Sequence, residues 1–478
     1  MGENAILNGL KAALSVIFPL ITYPYALRVL QVENIGKVDF SNSIINYFVL
    51  LAGLGISTYA IREGAIVRDS KERFSEFCSQ IFSINVISTI ISYIALGVTV
   101  LISSKLKSYG LIISVQSITL LGNLLGVLWL YSIVEDYRYI AVRSLVVHII
   151  ALILMFIFVR NKNDYVYYAG TSVIANAGAN FFNIIHSKKY AKIRFTTRMN
   201  LKKHFVPIMI IFASNVSSTI YVNSDKTILG YLLNDYYVGL YSSAVNIYTV
   251  LKICMMAIIQ VSLPRLTNYL ANNKLKNYNK SATDIFKMFT VVLFPIVVGL
   301  FALADDAILI VGGSNYLPAT STLRILSISL IFSIFATYYT NAVLLPYKKE
   351  KIVLAASVCS ALLNIAVNFW IIPIFKQDGA AMTTLLAELV MFLIQYLYSR
   401  KFIRIQIPLL FFVSIFAGCC GILAVTVITD LIISVFIINL VVKIAFSIII
   451  YGIFMVLFKN DAALYIAQKY LHKFSKKG

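Results

Sequence analysis

Apolar runs of about twenty residues recur along the chain, separated by short polar connections. A window of about 19 residues places these runs near 6–29, 40–61, 77–102, 110–134, 140–159, 165–185, 206–232, 239–264, 285–304, 322–344, 352–372, 379–399, 407–428 and 436–458. The pattern predicts an all-α polytopic membrane protein with about 14 transmembrane helices. No connection is long enough for a folded domain; the longest are 186–205, 265–284 and 305–321. The opening MGENAILNGLKAAL has neither a basic leader nor a small-residue cleavage site, and reads as the start of the first span.

Composition agrees with this pattern. Hydrophobic residues make up 60% of the 478, charged residues only 13%, and mean hydropathy is +0.85. A soluble chain this apolar would have too little polar surface to cover its core. The composition excludes a disordered chain, a nucleic-acid binder and a secreted disulfide scaffold. The five cysteines, Cys78, Cys254, Cys359, Cys419 and Cys420, show neither metal spacing nor disulfide pattern and read as small buried hydrophobes. There is no Walker A run and no zinc motif. Of the four histidines, His186, His204 and His472 are expected in inner loops or the tail, and His148 in a span. Nothing points to an enzyme or a resident cofactor, and coupling to a proton or another ion stays open.

The net charge of +21 is mostly a matter of placement. With the N-terminus in the cytoplasm, the inner loops and the tail hold 29 of the 41 Lys and Arg residues, the outer loops seven, and the spans five. This positive-inside bias favours cytoplasmic N- and C-termini and an even span count. The tail YIAQKYLHKFSKKG is basic and amphipathic, and is expected to lie at the inner headgroup layer.

The loop 186–204, with seven cations, divides the chain, after which the pattern restarts. FSNSIINY at 40–47 aligns with YSSAVNIY at 241–248, pairing Ser41 with Ser242 and Tyr47 with Tyr248. Both segments open the second span of a six-span block. Six is even, so the blocks enter the membrane in the same direction, as a parallel repeat about a pseudo-twofold axis. The expected organisation is a six-helix lobe over 1–200, a second over 201–405, and two extra helices with the basic tail over 406–478.

Charges inside spans are costly and mark candidate sites. Lys11 shares a helix face with Asn4, Asn8, Ser15 and Thr22, although it could instead snorkel to the interface. Lys252 is too deep for easy snorkelling and is the strongest lumen candidate. Asp225 and Lys226 are sequence neighbours, which do not face each other on a helix; each is as readily a structural ion-pair member as a site residue. Glu388 and Lys443 read as partners in bundle-internal hydrogen bonds. Arg28, Arg62 and Arg324 read as interfacial anchors or mouth residues. Asn42 with Asn46, Asn176 with Asn180 and Asn183, and Asn364 with Asn368 share faces, which suits a sugar path or helix-to-helix bonding. Cations outnumber carboxylates within the spans, and no carboxylate is expected deep in the first lobe. A positive lumen suits an anionic cargo, phosphate above all. Pro19 and Pro24 interrupt the first span, and Pro207, Pro295 and Pro408 lie in or near later ones.

An ordered set of segments resembles the Wzx-type O-antigen and polysaccharide flippases, within the multidrug, oligosaccharidyl-lipid and polysaccharide exporter superfamily. They are PYALRVL at 24–30, VDFSNSIINYFVLLAGLGI at 38–56, YAIREGA at 59–65, SDKTILGYL at 224–232, VGLYSSA at 238–244, SLPRL at 262–266 and NIAVNFWIIPIFKQDGAA at 364–381. One departure is Gln31, where the family more often has Gly in the outer turn. The resemblance implies two six-helix lobes plus two helices in the bacterial inner membrane, and no ATP hydrolysis. It implies that undecaprenyl-pyrophosphate-linked oligosaccharide units move from the cytoplasmic to the outer leaflet by alternating access. In that scheme Lys11, Lys226 and Lys252 attract the pyrophosphate, and Arg28 and Arg62 guard the outer and inner mouths. Partners would be the lipid-linked oligosaccharide, membrane lipids, and a polysaccharide polymerase and chain-length regulator. The alternatives are an ion-coupled multidrug antiporter of the same superfamily and, from another class, a membrane glycan polymerase.

Overall fold

The computed structural model describes residues 2–260, 262–403 and 405–464; the side chains of 2–17, Ser214 and Ser218 are outside that description. The basic tail from residue 465 and the side chain of Lys11 therefore lie outside the described residues. The described residues form helices and connections and contain no strand. The helices are α1 (Gly2–Gly53), α2 (Ile56–Val67), α3 (Lys71–Ile102), α4 (Ser104–Lys107), α5 (Gly110–Gly126), α6 (Leu128–Ile133), α7 (Tyr137–Phe158), α8 (Tyr165–Ala177) and α9 (Asn183–His186). They continue with α10 (Leu201–Leu232), α11 (Asp235–Gln260), α12 (Leu263–Ala271), α13 (Leu275–Ala302), α14 (Ala304–Gly312), α15 (Thr320–Tyr338), α16 (Glu350–Ser399), α17 (Leu409–Ile432) and α18 (Phe436–Leu457).

Among the described residues, ten helical stretches are long and apolar enough to cross a membrane, or eleven with the bent α10. The chain is an all-α multi-pass membrane protein. The count of ten takes Phe18–Val67, which joins α1 to α2, and Glu350–Ser399, which is α16, as single stretches of 50 residues. A straight helix of their length would run about 75 Å against a hydrocarbon core of about 30 Å. Both turn back on themselves. In α1 the reversal is at Gln31 (φ 64°, ψ 176°), and Tyr23 donates to Asp39 across it at 3.3 Å. In α16 it is at Lys376 (φ 57°, ψ −131°), and Thr383 donates to Asn368 at 2.5 Å. Asn364 and Asn368 thus bond one arm of the hairpin to the other, the helix-bonding role open to them in the sequence.

The chain separates into two compact units, Met1–Ser242 and Ser243–Gly478. The division falls inside α11, so α10 belongs with the first unit. A polar seam binds α10 to the second arm of α1: Ser43 with Thr227 at 2.9 Å, Tyr47 with Thr227 at 3.2 Å, and Asn46 to Asn223 at 3.0 Å. Such bonds between membrane helices satisfy polar groups that hydrocarbon cannot. The bend in α10, 44° between Leu201–Ser217 and Thr219–Leu232, lies about three turns past Pro207. Pro408 caps the start of α17 and does not break it.

The first unit's core gathers Tyr59, Phe74, Phe77, Trp129, Leu130 and Tyr131 from α2, α3 and α6. The cation-rich connection after α9 is not loose. Its extended stretch lies along α3, with the N–H groups of Lys192, Arg194 and Thr196 donating to Ser75, Ser79 and Ser83. Two extended residues advance about 6.6 Å and four helical residues about 6 Å, so the two spacings stay in step. The charged side chains of Lys192 and Arg194 remain exposed.

In the second unit, Phe411, Ile415, Cys419 and Met455 of α17 and α18 pack with Val291 of α13. The other faces of α17 and α18 expose Leu409, Phe416, Leu431, Ile437 and Ile448, as expected of lipid-facing helices. Cys78 and Cys419 are buried as expected; Cys254, Cys359 and Cys420 are exposed, and all five are free. His204 differs from its expected place in a loop. It is buried in the first turn of α10, with Nδ1 bonded to the Tyr59 hydroxyl at 2.7 Å and Nε2 to Gln80 Oε1 at 2.9 Å. Having a partner for each ring nitrogen is what makes that burial tolerable.

Candidate functional site

The second unit contains a charge cluster deep in its helices. Lys252 lies on α11, Ser333 on α15, and Glu388 on the second arm of α16, twelve residues past the Lys376 reversal. Lys252 Nζ donates to Glu388 Oε1 at 2.8 Å, Ser333 Oγ to the same oxygen at 3.0 Å, and the Tyr248 hydroxyl at 3.4 Å. Tyr248 is one helical turn before Lys252, and its ring lies 5.5 Å from the ammonium. The pair is asymmetric: the Glu388 side chain is 4% exposed and that of Lys252 25%. The carboxylate is the sealed end and the ammonium the open one. The sequence singled out both charges but not their union, because two spans 136 residues apart carry no register relative to each other.

The first unit holds a looser counterpart. Lys226 Nζ lies 3.5 Å from Asp39 Oδ2, which also accepts from Tyr23. The neighbouring Asp225 turns elsewhere and accepts from the Tyr241 hydroxyl at 2.5 Å. Asp225 and Lys226 therefore do not pair together, as their adjacency on one helix requires. The expectation of no carboxylate deep in the first lobe is corrected. Asp39, within 1–200, lies in α1 with its side chain 16% exposed; Asp225 is buried, in a span that the sequence assigns to the second lobe. Asp39 escaped notice because it falls one residue before the expected start of the second span, 40–61. Tyr23 and Ser333 were missed as well, since hydroxyls in spans are too common to stand out.

The remaining charges have plainer places. Arg28 is exposed on α1, three residues before the Gln31 reversal. Arg62 is on α2, exposed, paired with Glu63 at 3.1 Å and stacked over the Tyr59 ring at 5.8 Å. Arg324 pairs with Asp305 at 2.6 Å. Lys443 is clamped between Asp306 at 3.0 Å and Asp430 at 2.6 Å, which ties α18 to α14 and α17. Asp378, not singled out in the sequence, accepts from Ser321 at 2.7 Å and Thr322 at 2.5 Å and pins the α16 reversal to the start of α15. Among the described residues, no group of three or more His, Cys, Asp or Glu side chains is placed to hold a metal ion. Within the first unit, Asp225 and Lys226 come up against residues of α1 and α11; Arg62 stands apart on α2.

Comparisons with known proteins agree with this architecture. Residues 1–270 match the family model described as polysaccharide biosynthesis protein. The chain is 26% identical over 410 residues to a "Putative O-antigen transporter" of Escherichia coli (strain K12), covering 84% of this chain and 96% of that one. It is similar in fold to the lipid II flippase MurJ in an inward closed conformation, with TM-score 0.74 and 20% identity over 95% of this chain and 99% of that one. A multidrug resistance MATE family transporter of the MOP superfamily, in an inward-facing conformation, matches with TM-score 0.57 and 14% identity over 81% of this chain and 97% of that one. The family model covers more than half of the sequence, and the chain belongs to the polysaccharide biosynthesis protein family.

Proposed function

We propose that this protein is a flippase that carries lipid-linked oligosaccharide repeat units of a surface polysaccharide from the cytoplasmic to the outer leaflet of a bacterial inner membrane. The carrier lipid is taken to be undecaprenyl pyrophosphate, and the route a cationic cavity served by alternating access of two six-helix lobes, 1–200 and 201–405. Fourteen crossings follow if the ten apolar helices are joined by the bent α10, the segment Tyr165–His186, and the second arms of α1 and α16. An even count puts both termini on one side, which the positive-inside bias makes the cytoplasmic one.

The observation that carries this reading is the Lys252–Glu388 pair. A pyrophosphate and several sugars cannot cross about 30 Å of hydrocarbon unaided. A lysine held deep in a span, with its ammonium the accessible member of the pair, offers such a group a counter-charge there. Lys226, open beside Asp39, offers a second. Lys11 adds a third in this scheme, with Arg28 and Arg62 at the two mouths. The cationic-drug antiporter is less favoured, because Asp39 and Glu388 each already face a lysine and Asp225 a tyrosine. A polymerase is disfavoured by the relatives, which are named transporters or flippases. Functional partnership with a polymerase and a chain-length regulator belongs to the same proposal.

The test is a strain lacking the gene, assayed for surface polysaccharide and for lipid-linked units on each leaflet. Loss of surface glycan with single units confined to the inner leaflet supports flipping. Single units exposed on the outer leaflet but unpolymerised would overturn it in favour of a polymerase.

A further inference from the structure

A second feature of the Ser243–Gly478 unit lies apart from the Lys252 cluster. A pocket of about 710 Å³ opens beside the C-terminal end of α16, where the chain leaves that helix and crosses to α17. Arg400 and Lys401 stand at it, Tyr339 and Tyr396 line it with aromatic surface, and Ile405 and Phe412 add apolar surface. The guanidinium of Arg400 lies 5.7 Å from the Tyr396 ring centre, and the ammonium of Lys401 5.4 Å from that of Tyr398. Tyr396 is itself stacked on Phe392 at 5.7 Å, which fixes the aromatic surface beneath Arg400. Neither cation is paired with a carboxylate among the described residues, and no acidic residue lines the pocket.

Three properties define what such a pocket accepts. Two cations without acidic partners select an anion, and Arg can grip phosphate oxygens through two donors at once. The aromatic and aliphatic surface and the volume exceed what a bare phosphate would fill, so the ligand carries apolar bulk beside its charge. The position at the end of a membrane-crossing helix is the depth of the lipid headgroups, where basic pockets between helices bind anionic lipids. We propose that this pocket binds the phosphate-bearing headgroup of an anionic phospholipid, with the start of its acyl chains against Ile405 and Phe412. The site makes the second unit sensitive to membrane composition and does not depend on the transported substrate.

The test uses the full-length protein in nanodiscs of phosphatidylcholine, alone or mixed with phosphatidylglycerol, with retained lipid counted by native mass spectrometry and unfolding followed by heating. The expected result is preferential retention of phosphatidylglycerol, weakened about fivefold for each cation removed in Arg400→Gln with Lys401→Gln. The wild-type melting temperature rises with phosphatidylglycerol, and that of the double variant does not. Lys274→Gln with Lys276→Gln, outside the pocket, keeps the wild-type preference. Unfolding of the variant in phosphatidylcholine at the wild-type temperature shows that its fold is intact. Unchanged preference in the double variant overturns the proposal. So does full stabilisation by inorganic phosphate in phosphatidylcholine alone, which would mark a site for a soluble anion.

Discussion

Lys252 and Glu388, 136 residues apart in sequence, meet at 2.8 Å inside the second unit, with the acid sealed and the base left open. Such a pair is costly to break by removing the base, because the sealed carboxylate left behind has no water to turn to; losses of this kind run at about 3–5 kcal/mol. Replacing both members by apolar residues of similar size often restores stability. Lys252→Met with Glu388→Leu should therefore melt near wild type, whereas Lys252→Met alone, which abandons the sealed carboxylate, melts well below it. If Lys252 serves transport, the stable double variant still fails to display surface glycan. Normal glycan in that variant would confine the pair to a structural role.

Gln31 occupies a backbone conformation that glycine visits freely and side chains avoid, φ 64° with ψ 176°. Such a position costs of order 1–3 kcal/mol. Gln31→Gly should raise the melting temperature of the purified protein and leave glycan export intact. A fall in melting temperature would show that the Gln31 side chain holds the reversal by contacts outweighing the strain.

The same position shows how far the sequence could be read. Gln31 stood out as a departure from glycine at an outer turn, and the turn is where the positive φ occurs. Apolar periodicity found the spans because lipid imposes it on every crossing. The reversals at Gln31 and Lys376 fall in short polar connections, QVEN at 31–34 and KQD at 376–378, which is why hydropathy separates the neighbouring spans there although the helix runs on through each turn. Pairings such as Lys226 with Asp39, or Glu388 with Lys252, depend on which helices become neighbours and how each is rotated, and hydropathy holds neither. The serine series at 75, 79 and 83 was likewise unreadable without knowing that an extended segment would lie along it.

That segment gives a test of orientation. Phe195 is exposed between Arg194 and Thr196, in the cation-rich connection expected to be cytoplasmic. In a background with the five native cysteines replaced by serine or alanine, Phe195→Cys should react with an impermeant maleimide only after the inner membrane is opened. Labelling in spheroplasts with that membrane intact would invert the topology. Breaking the ladder with Ser79→Ala should raise the labelling rate at 195 in opened membranes, since Ser79 Oγ accepts the Arg194 N–H at 3.1 Å and donates to the Lys192 carbonyl at 3.2 Å.

Gly36 and Gly239 decide how closely the chain just after the α1 reversal approaches the start of α11. A Cβ on Gly36 would lie 1.8 Å from the carbonyl oxygen of Asp235, and one on Gly239 would lie 2.1 Å from that of Val32. Both obstacles are backbone, which cannot rotate aside as a side chain can. The contact also fixes Asp235, whose carboxylate accepts from the Tyr109 hydroxyl at 2.6 Å and so ties α5 to the same corner. Gly36→Ala must therefore push two helices apart or shift the reversal, and overpacking of this kind costs about 1–3 kcal/mol or more. The expected outcome is lower melting temperature and reduced membrane yield for Gly36→Ala. Gly53→Ala, where a Cβ meets nothing within 4 Å, should behave as wild type. Equal behaviour of the two variants would mean that this corner is looser than its backbone contacts indicate.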